Sequence, residues 1–184
     1  GLYQHFTSIA DAVSIPGILY NVPSRTALNM DAATTLRLAD VPNIVGVKEA
    51  SSDPDQIGYV IKDSPDGFKV WSGNDNEILS TMAMGGYGIV SVAGNIISSQ
   101  IQKMMRLILK GDLDVAAAEH LRLLPIFNAL FYITNPIPVR YAMNRSGFKV
   151  GPARLPMVPD QLELQAFGDK FDPIMDRYII DLSE

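Results

Sequence analysis

The chain of 184 residues is 47% hydrophobic and 19% charged, with a net charge of −5, the balance of an ordinary globular protein with room for one real core. It contains no cysteine, which excludes disulfide, thiolate and cysteine–metal chemistry, and no basic stripe stands out to neutralise nucleic-acid phosphates. No apolar run approaches a membrane span and the first residues lack the basic start of a signal peptide, so no membrane or nucleic-acid partner is expected and the cytoplasm is the expected location.

Leu2, Phe6, Ile9, Ala10 and Val13 recur at helical spacing and predict an amphipathic helix over 2–14. Only Gly1 precedes it, with no capping residue and no initiator methionine, so the opening reads as the inside of a larger repeat. Four similar units follow. Residues 17–22 predict a strand, and Asn29 is expected to cap a helix running to about Ala39. Residues 44–48 predict the second strand. Asp53-Pro54-Asp55-Gln56 then starts a helix: Asp53 caps, Pro54 fits the first turn, and Gln56 can reach back to the cap. Residues 69–72 predict the third strand, and 76–84 a helix closed by Gly85. Residues 89–92 predict the fourth strand, and 98–110 a helix stopped by Gly111. Beyond it, 113–130, 138–146 and 160–181 read as helices, separated by Asn135-Pro136-Ile137-Pro138 and Arg154-Leu155-Pro156.

Strands alternating with helices predict a parallel sheet with right-handed crossovers. Two architectures fit: a small doubly wound sheet, or half of a (β/α)8 barrel, a whole barrel needing about 250 residues. No Gly-x-Gly-x-x-Gly turn joins the first strand to its helix, which weighs against a dinucleotide-binding sheet. Gly85-Gly86-Tyr87-Gly88 precedes a strand and reads as a tight turn. His5 and His120 are expected to be solvated helix residues without a metal-ligand partner at useful spacing. No metal or cofactor is expected, and acid–base work falls to tyrosine, lysine or carboxylates.

In either architecture, reactive groups gather at the C-terminal ends of the strands. Lys48 ends a β-branched run of the kind buried on both faces. An amine that loses water there can attack a carbonyl and form a Schiff base. Alternation puts Ile44 and Gly46 on the face of Lys48, with Gly46 leaving space beneath the amine. Tyr20, at the end of the neighbouring strand, can pass protons to and from an imine. Arg25, on the loop after it, can bind a carboxylate. Glu49 points toward the helix layer and is left out of the chemistry. Singly, each residue has a plainer reading: a lysine reaching solvent, a core tyrosine, a solvated loop arginine.

Tyr20-Asn21-Val22-Pro23-Ser24-Arg25-Thr26, Gly46-Val47-Lys48-Glu49-Ala50-Ser51, Ser72-Gly73-Asn74-Asp75, Gly85 through Val92 and Asn135-Pro136-Ile137-Pro138-Val139 together resemble the dihydrodipicolinate synthase family, in family order through Leu155-Pro156-Met157. The resemblance implies a TIM-barrel aldolase of lysine and diaminopimelate biosynthesis that condenses pyruvate with aspartate semialdehyde. Residues 1–111 would hold strands 5–8 of the barrel, and 112–184 a C-terminal helical region. Lys48 matches the lysine that forms the Schiff base with pyruvate. Tyr20 matches the proton-relay tyrosine, and Arg25 the arginine that binds the semialdehyde carboxylate. Gly73 and Val90 match positions lining the pyruvate pocket, Val90 through its backbone carbonyl. The arginine favours the synthase over sialic-acid and keto-sugar lyases that share the lysine and tyrosine.

The first four family strands, with a Gly-Thr-Thr-Gly-Glu relay motif and a Tyr-Tyr-Asn motif, would precede the segment that Leu2 to Phe6 resembles, and neither motif occurs here. Ala27 stands where a glycine is common, and Ala93-Gly94 where Thr-Ala is more usual. Half a barrel leaves open sheet edges and an uncovered interior, so the chain is expected to form a homo-oligomer, or to pair with the missing half. The rival expectations are a related pyruvate-dependent lyase and a non-catalytic subunit that keeps the motifs for packing.

Overall fold

The apolar runs of the first half pair as a parallel sheet in the computed structural model, which describes residues 1–179. The strands are β1 (Gly17–Asn21), β2 (Ile44–Glu49), β3 (Lys69–Ser72) and β4 (Gly88–Ile89), hydrogen-bonded in the order β1-β2-β3-β4. The helices of this half are α1 (Leu2–Asp11), α2 (Pro23–Thr26), α3 (Ala32–Ala39), α4 (Pro54–Asp63) and α5 (Ile78–Ala83), with a 3₁₀ turn at Asp75–Glu77. Sequential strand order is barrel order. A doubly wound sheet reverses its order at a switch point, and no reversal occurs here.

The two sheet faces differ. Leu19, Val47 and Val70 are buried in one cluster with Leu38 of α3, Val60 of α4 and Ala10 of α1. The residues that alternate with them face the other way, and Ile18 and Tyr20 are 49% and 47% exposed. Helices that all pack on one side produce this: one face is covered and the other is the barrel's inner wall.

Several boundaries differ from expectation. The first helix ends at Asp11. Asp31, not Asn29, caps α3, its carboxylate accepting the Thr34 N–H at 2.7 Å. Asn29 is drawn off by side-chain bonds to Asn21 and Gln56. Asp53 caps α4 as expected, accepting the N–H groups of Asp55 and Gln56 at 3.0 and 3.1 Å. The Gln56 side chain, however, turns back to the sheet. Only Gly88 and Ile89 of the fourth strand join the ladder, although the Val90 N–H still donates to the Ser72 carbonyl at 3.0 Å. Ser91 is already turning, its hydroxyl oxygen accepting the Gly94 N–H at 2.7 Å.

Contacts divide the chain into two compact units, Gly1–Val90 and Ser91–Glu184. The second holds α6 (Gly94–Lys110), α7 (Leu113–Ala129), α8 (Ile137–Arg145) and α9 (Gln161–Ile179). Helix α6 starts four residues earlier than expected (Gly94 against 98), with a non-helical turn at Ile97. Residues 180 and 181 of the last expected helix lie outside the described residues. Ile101, Met104, Leu123, Phe127, Phe171 and Met175 are buried in this unit. His120 is not the solvated residue expected: it is buried, its ring 5.9 Å from that of Phe127, because it falls on the inner stripe of α7. Among the described residues no helix is long and apolar enough to cross a membrane, and no group of His, Asp and Glu is placed to hold a metal ion.

Leu38 is fully buried between α3 and the sheet, so Leu38→Ala leaves a cavity. The expected loss of stability is about 2–5 kcal/mol, read from urea denaturation.

Candidate active site

Parallel pairing sets Tyr20 opposite Lys48, and Lys48 opposite Trp71, in one row across the bare face. The Lys48 ammonium lies 4.1 Å from the centre of the Tyr20 ring. The two residues stand at the same height, as the strand ends suggested. The contact is with the ring face, where the negative side of the aromatic quadrupole attracts a cation. Lys48 is half-buried.

The stem of the lysine is also held. A methyl group built on Gly73 would lie 3.2 Å from Lys48 Cε and 2.6 Å from Ala50 Cβ, so only glycine lets β3 approach the stem this closely. The Gly73 N–H donates to the Glu49 carbonyl at 2.6 Å. Gly46 does not leave open space beneath the amine, as expected from its position. Trp71 fills that space: a methyl on Gly46 would lie 2.5 Å from Trp71 Cζ3 and would overlap the Lys69 carbonyl oxygen. Ile44, expected on the same face, packs instead in the helix-side cluster. The β1–β2 pairing shifts register between Gly17 and Ile18 at this end. The Trp71 ring meets Tyr87 edge-on at 5.4 Å, and the Lys69 ammonium lies 5.1 Å from the Tyr87 ring.

Val90 follows β4 and is 41% exposed. Arg25 lies on the short helix α2 and not on a loop. It is exposed, with no ion-pair partner among the described residues. Ala27, directly after α2, has φ of 54°, in the left-handed region that favours glycine.

The residue whose importance the sequence did not reveal is Glu49. It does point toward the helix layer, and it is 0% exposed there. Its carboxylate accepts Asn21 Nδ2 at 2.9 and 3.1 Å, Gln56 Nε2 at 3.1 Å and the Ser51 N–H at 2.8 Å. A buried carboxylate needs such donors. The available signal was a Glu on the covered face of a strand, with Asn and Gln at neighbouring element ends.

Four parallel strands in sequential order, with polar side chains at their C-terminal ends, define part of a (β/α)8 barrel. Residues 1–169 match the Dihydrodipicolinate synthetase family, and the chain belongs to that family. It is 53% identical over 159 residues to the 4-hydroxy-tetrahydrodipicolinate synthase of Symbiobacterium thermophilum, covering 86% of this chain and 54% of the relative. It is 52% identical over 158 residues to the enzyme of that name from Moorella thermoacetica, again covering 86% and 54%. The crystal structure of dihydrodipicolinate synthase from Aquifex aeolicus superposes with a TM-score of 0.91 at 36% identity, covering 97% of this chain and 60% of that one. The chain thus spans about half the length of the curated relatives it matches.

Trp71 is the only tryptophan and the strand neighbour of Lys48, so its fluorescence reports on the amine. Lys48→Met is expected to change its emission maximum or intensity, while Arg25→Met leaves the spectrum as it is. Ala27→Gly, which removes the left-handed strain, is expected to raise stability by about 1 kcal/mol in a thermal melt.

Proposed function

We propose that this chain carries the imine-forming part of a class I aldolase that condenses pyruvate with aspartate semialdehyde, the reaction of lysine and diaminopimelate biosynthesis. The observation that carries the reading is the half-buried Lys48 amine on the Tyr20 ring face, at the C-terminal mouth of a parallel sheet. The Lys48 nitrogen attacks the pyruvate carbonyl carbon, the carbonyl oxygen leaves as water, and an imine remains. The imine withdraws electrons from the adjacent methyl group, which releases a proton to become the carbon nucleophile toward the aldehyde. We assign the proton transfers of these steps to Tyr20, whose ring meets the lysine nitrogen at 4.1 Å. Gly73 and Val90 line the pyruvate side, Gly73 by keeping the lysine stem close and Val90 through its carbonyl. Arg25, exposed on α2 after β1 with no competing ion pair among the described residues, binds the carboxylate of the semialdehyde. That role favours the synthase over the related lyases, whose aldehyde partners carry no such carboxylate.

The bare sheet face is part of the proposal. Ile18, Tyr20 and Val90 are exposed on the barrel's inner side or mouth. We infer that further barrel strands cover them, supplied by a longer polypeptide that includes this chain or by another copy in a homo-oligomer. The reaction is assigned to the cytoplasm.

The test is borohydride reduction of the protein with pyruvate, followed by intact mass and peptide mapping. A reduced pyruvyl adduct is expected on the Lys48 peptide and absent from Lys48→Met. Tyr20→Phe is expected to slow adduct formation about 100- to 10,000-fold. In the complete condensation Arg25→Met is expected to raise KM for aspartate semialdehyde and not for pyruvate. An adduct on a different lysine, or none on folded protein, would contradict the reading.

A further inference from the structure

We propose that Glu49, which contacts no reacting atom, is a positioning residue for the Lys48 amine, acting through Asn21 and Gln56. The inference rests on the reading of Lys48 as the imine-forming residue.

Side chains alternate along a strand, so the residue after Tyr20 and the residue after Lys48 both face the helix side. These are Asn21 and Glu49, and the pairing that sets Tyr20 opposite Lys48 also sets Asn21 opposite Glu49. On that covered side their side chains are bonded directly, Asn21 Nδ2 donating to both carboxylate oxygens. The polar pair behind the sheet and the reactive pair in front of it therefore share one register. A slip of one residue would turn Lys48 toward the helices.

The orientations are forced. A carboxylate only accepts, so the amide NH₂ groups of Asn21 and Gln56 must point at it. The Asn21 oxygen is then free to accept the Met30 N–H at 2.9 Å, and the Gln56 oxygen accepts Asn29 Nδ2 at 2.8 Å. The donors to the carboxylate are neutral, and a buried carboxylate with no cation costs more than an apolar side chain of similar size. Packing of α3 and α4 on the sheet does not require it, since Leu19, Val47 and Val70 already supply that contact. What the carboxylate adds is fixation next to the lysine. It accepts the Ser51 N–H on the chain leaving β2, while the carbonyl of the same residue accepts the Gly73 N–H. Residue 49 is held by both its side chain and its backbone, and Lys48 can then rest its stem on Gly73 and its amine on Tyr20.

Glu49→Gln preserves size but gives position 49 a donor where Asn21 and Gln56 already donate. The double variant N21D/E49Q reverses donor and acceptor across the same pair and restores a bond. The experiment is the rate of borohydride-trapped pyruvate adduct, with far-UV circular dichroism and a thermal melt for folding. Glu49→Gln is expected to lower the rate at saturating pyruvate about 10- to 100-fold, with the half-saturating pyruvate concentration little changed. N21D/E49Q is expected to recover the rate to within about threefold of wild type. Trapping at the wild-type rate by folded Glu49→Gln would overturn the proposal alone. A folded N21D/E49Q that does not recover would do the same. If Glu49→Gln does not fold, the double variant decides, recovery supporting the role and slow trapping overturning it. Failure of both to fold would assign the network to folding itself and overturn a role specific to the amine. No adduct in the wild-type protein would instead overturn the imine reading, and this proposal with it.

Discussion

The arrangement of the candidate site depends on one step of strand pairing, that of β1 against β2. The two strands are parallel and meet so that Tyr20 faces Lys48 and, one residue on, Asn21 faces Glu49. Because strand side chains alternate, these two pairs lie on opposite sides of the sheet. One register thus delivers a cation to an aromatic face in the open and a carboxylate to its donors in the core. The apolar cluster of Leu19, Val47 and Val70 stabilises the sheet as a whole but is tolerant of small shifts. Directional hydrogen bonds at Glu49 are not. Stability and precision are therefore carried by different residues of the same strands.

Close approach is the second constraint. Gly46 and Gly73 are the points where a side chain would collide, Gly46 with Trp71 and the Lys69 carbonyl, Gly73 with Ala50 and the lysine stem. Each surrenders its own packing to let a larger neighbour in. The result is a lysine whose stem lies against Gly73 and whose amine meets the Tyr20 ring. That geometry holds a half-buried lysine nitrogen against an aromatic face at the strand ends. Ile18, on the same face as Tyr20, is exposed with it.

Much of this was legible in the residues. The β-branched runs and their spacing predicted four parallel strands, and the alternation rule aimed Lys48 and Tyr20 to one side and Glu49 to the other. The doubly wound alternative stayed open because periodicity does not report strand order. Only the ladder order closed it. The short-range errors have one cause, competition among polar side chains. Asn29 looks like a cap, but Asn21 and Gln56 claim it, and Asp31 takes its place. Gln56 has the spacing of a capping box, yet the buried Glu49 oxygen draws it inward. Gly46 was read as open space because sequence cannot show that Trp71, from the next strand, lies over it. His120 was read as solvated on its residue type, although Ala116, Leu123 and Phe127 lie at helical spacing from it and form the buried stripe of its helix.

The most direct test of the central claim is the environment of the Lys48 side chain in solution. An ammonium on the face of a tyrosine places its ε-methylene protons in the shielding region of the ring. In protein labelled at lysine, the Lys48 ε-CH₂ signal is expected upfield of the other lysines and expected to return toward them in Tyr20→Leu. A Lys48 signal that coincides with the solvated lysines in the wild-type protein, and does not move when the ring is removed, would contradict the account.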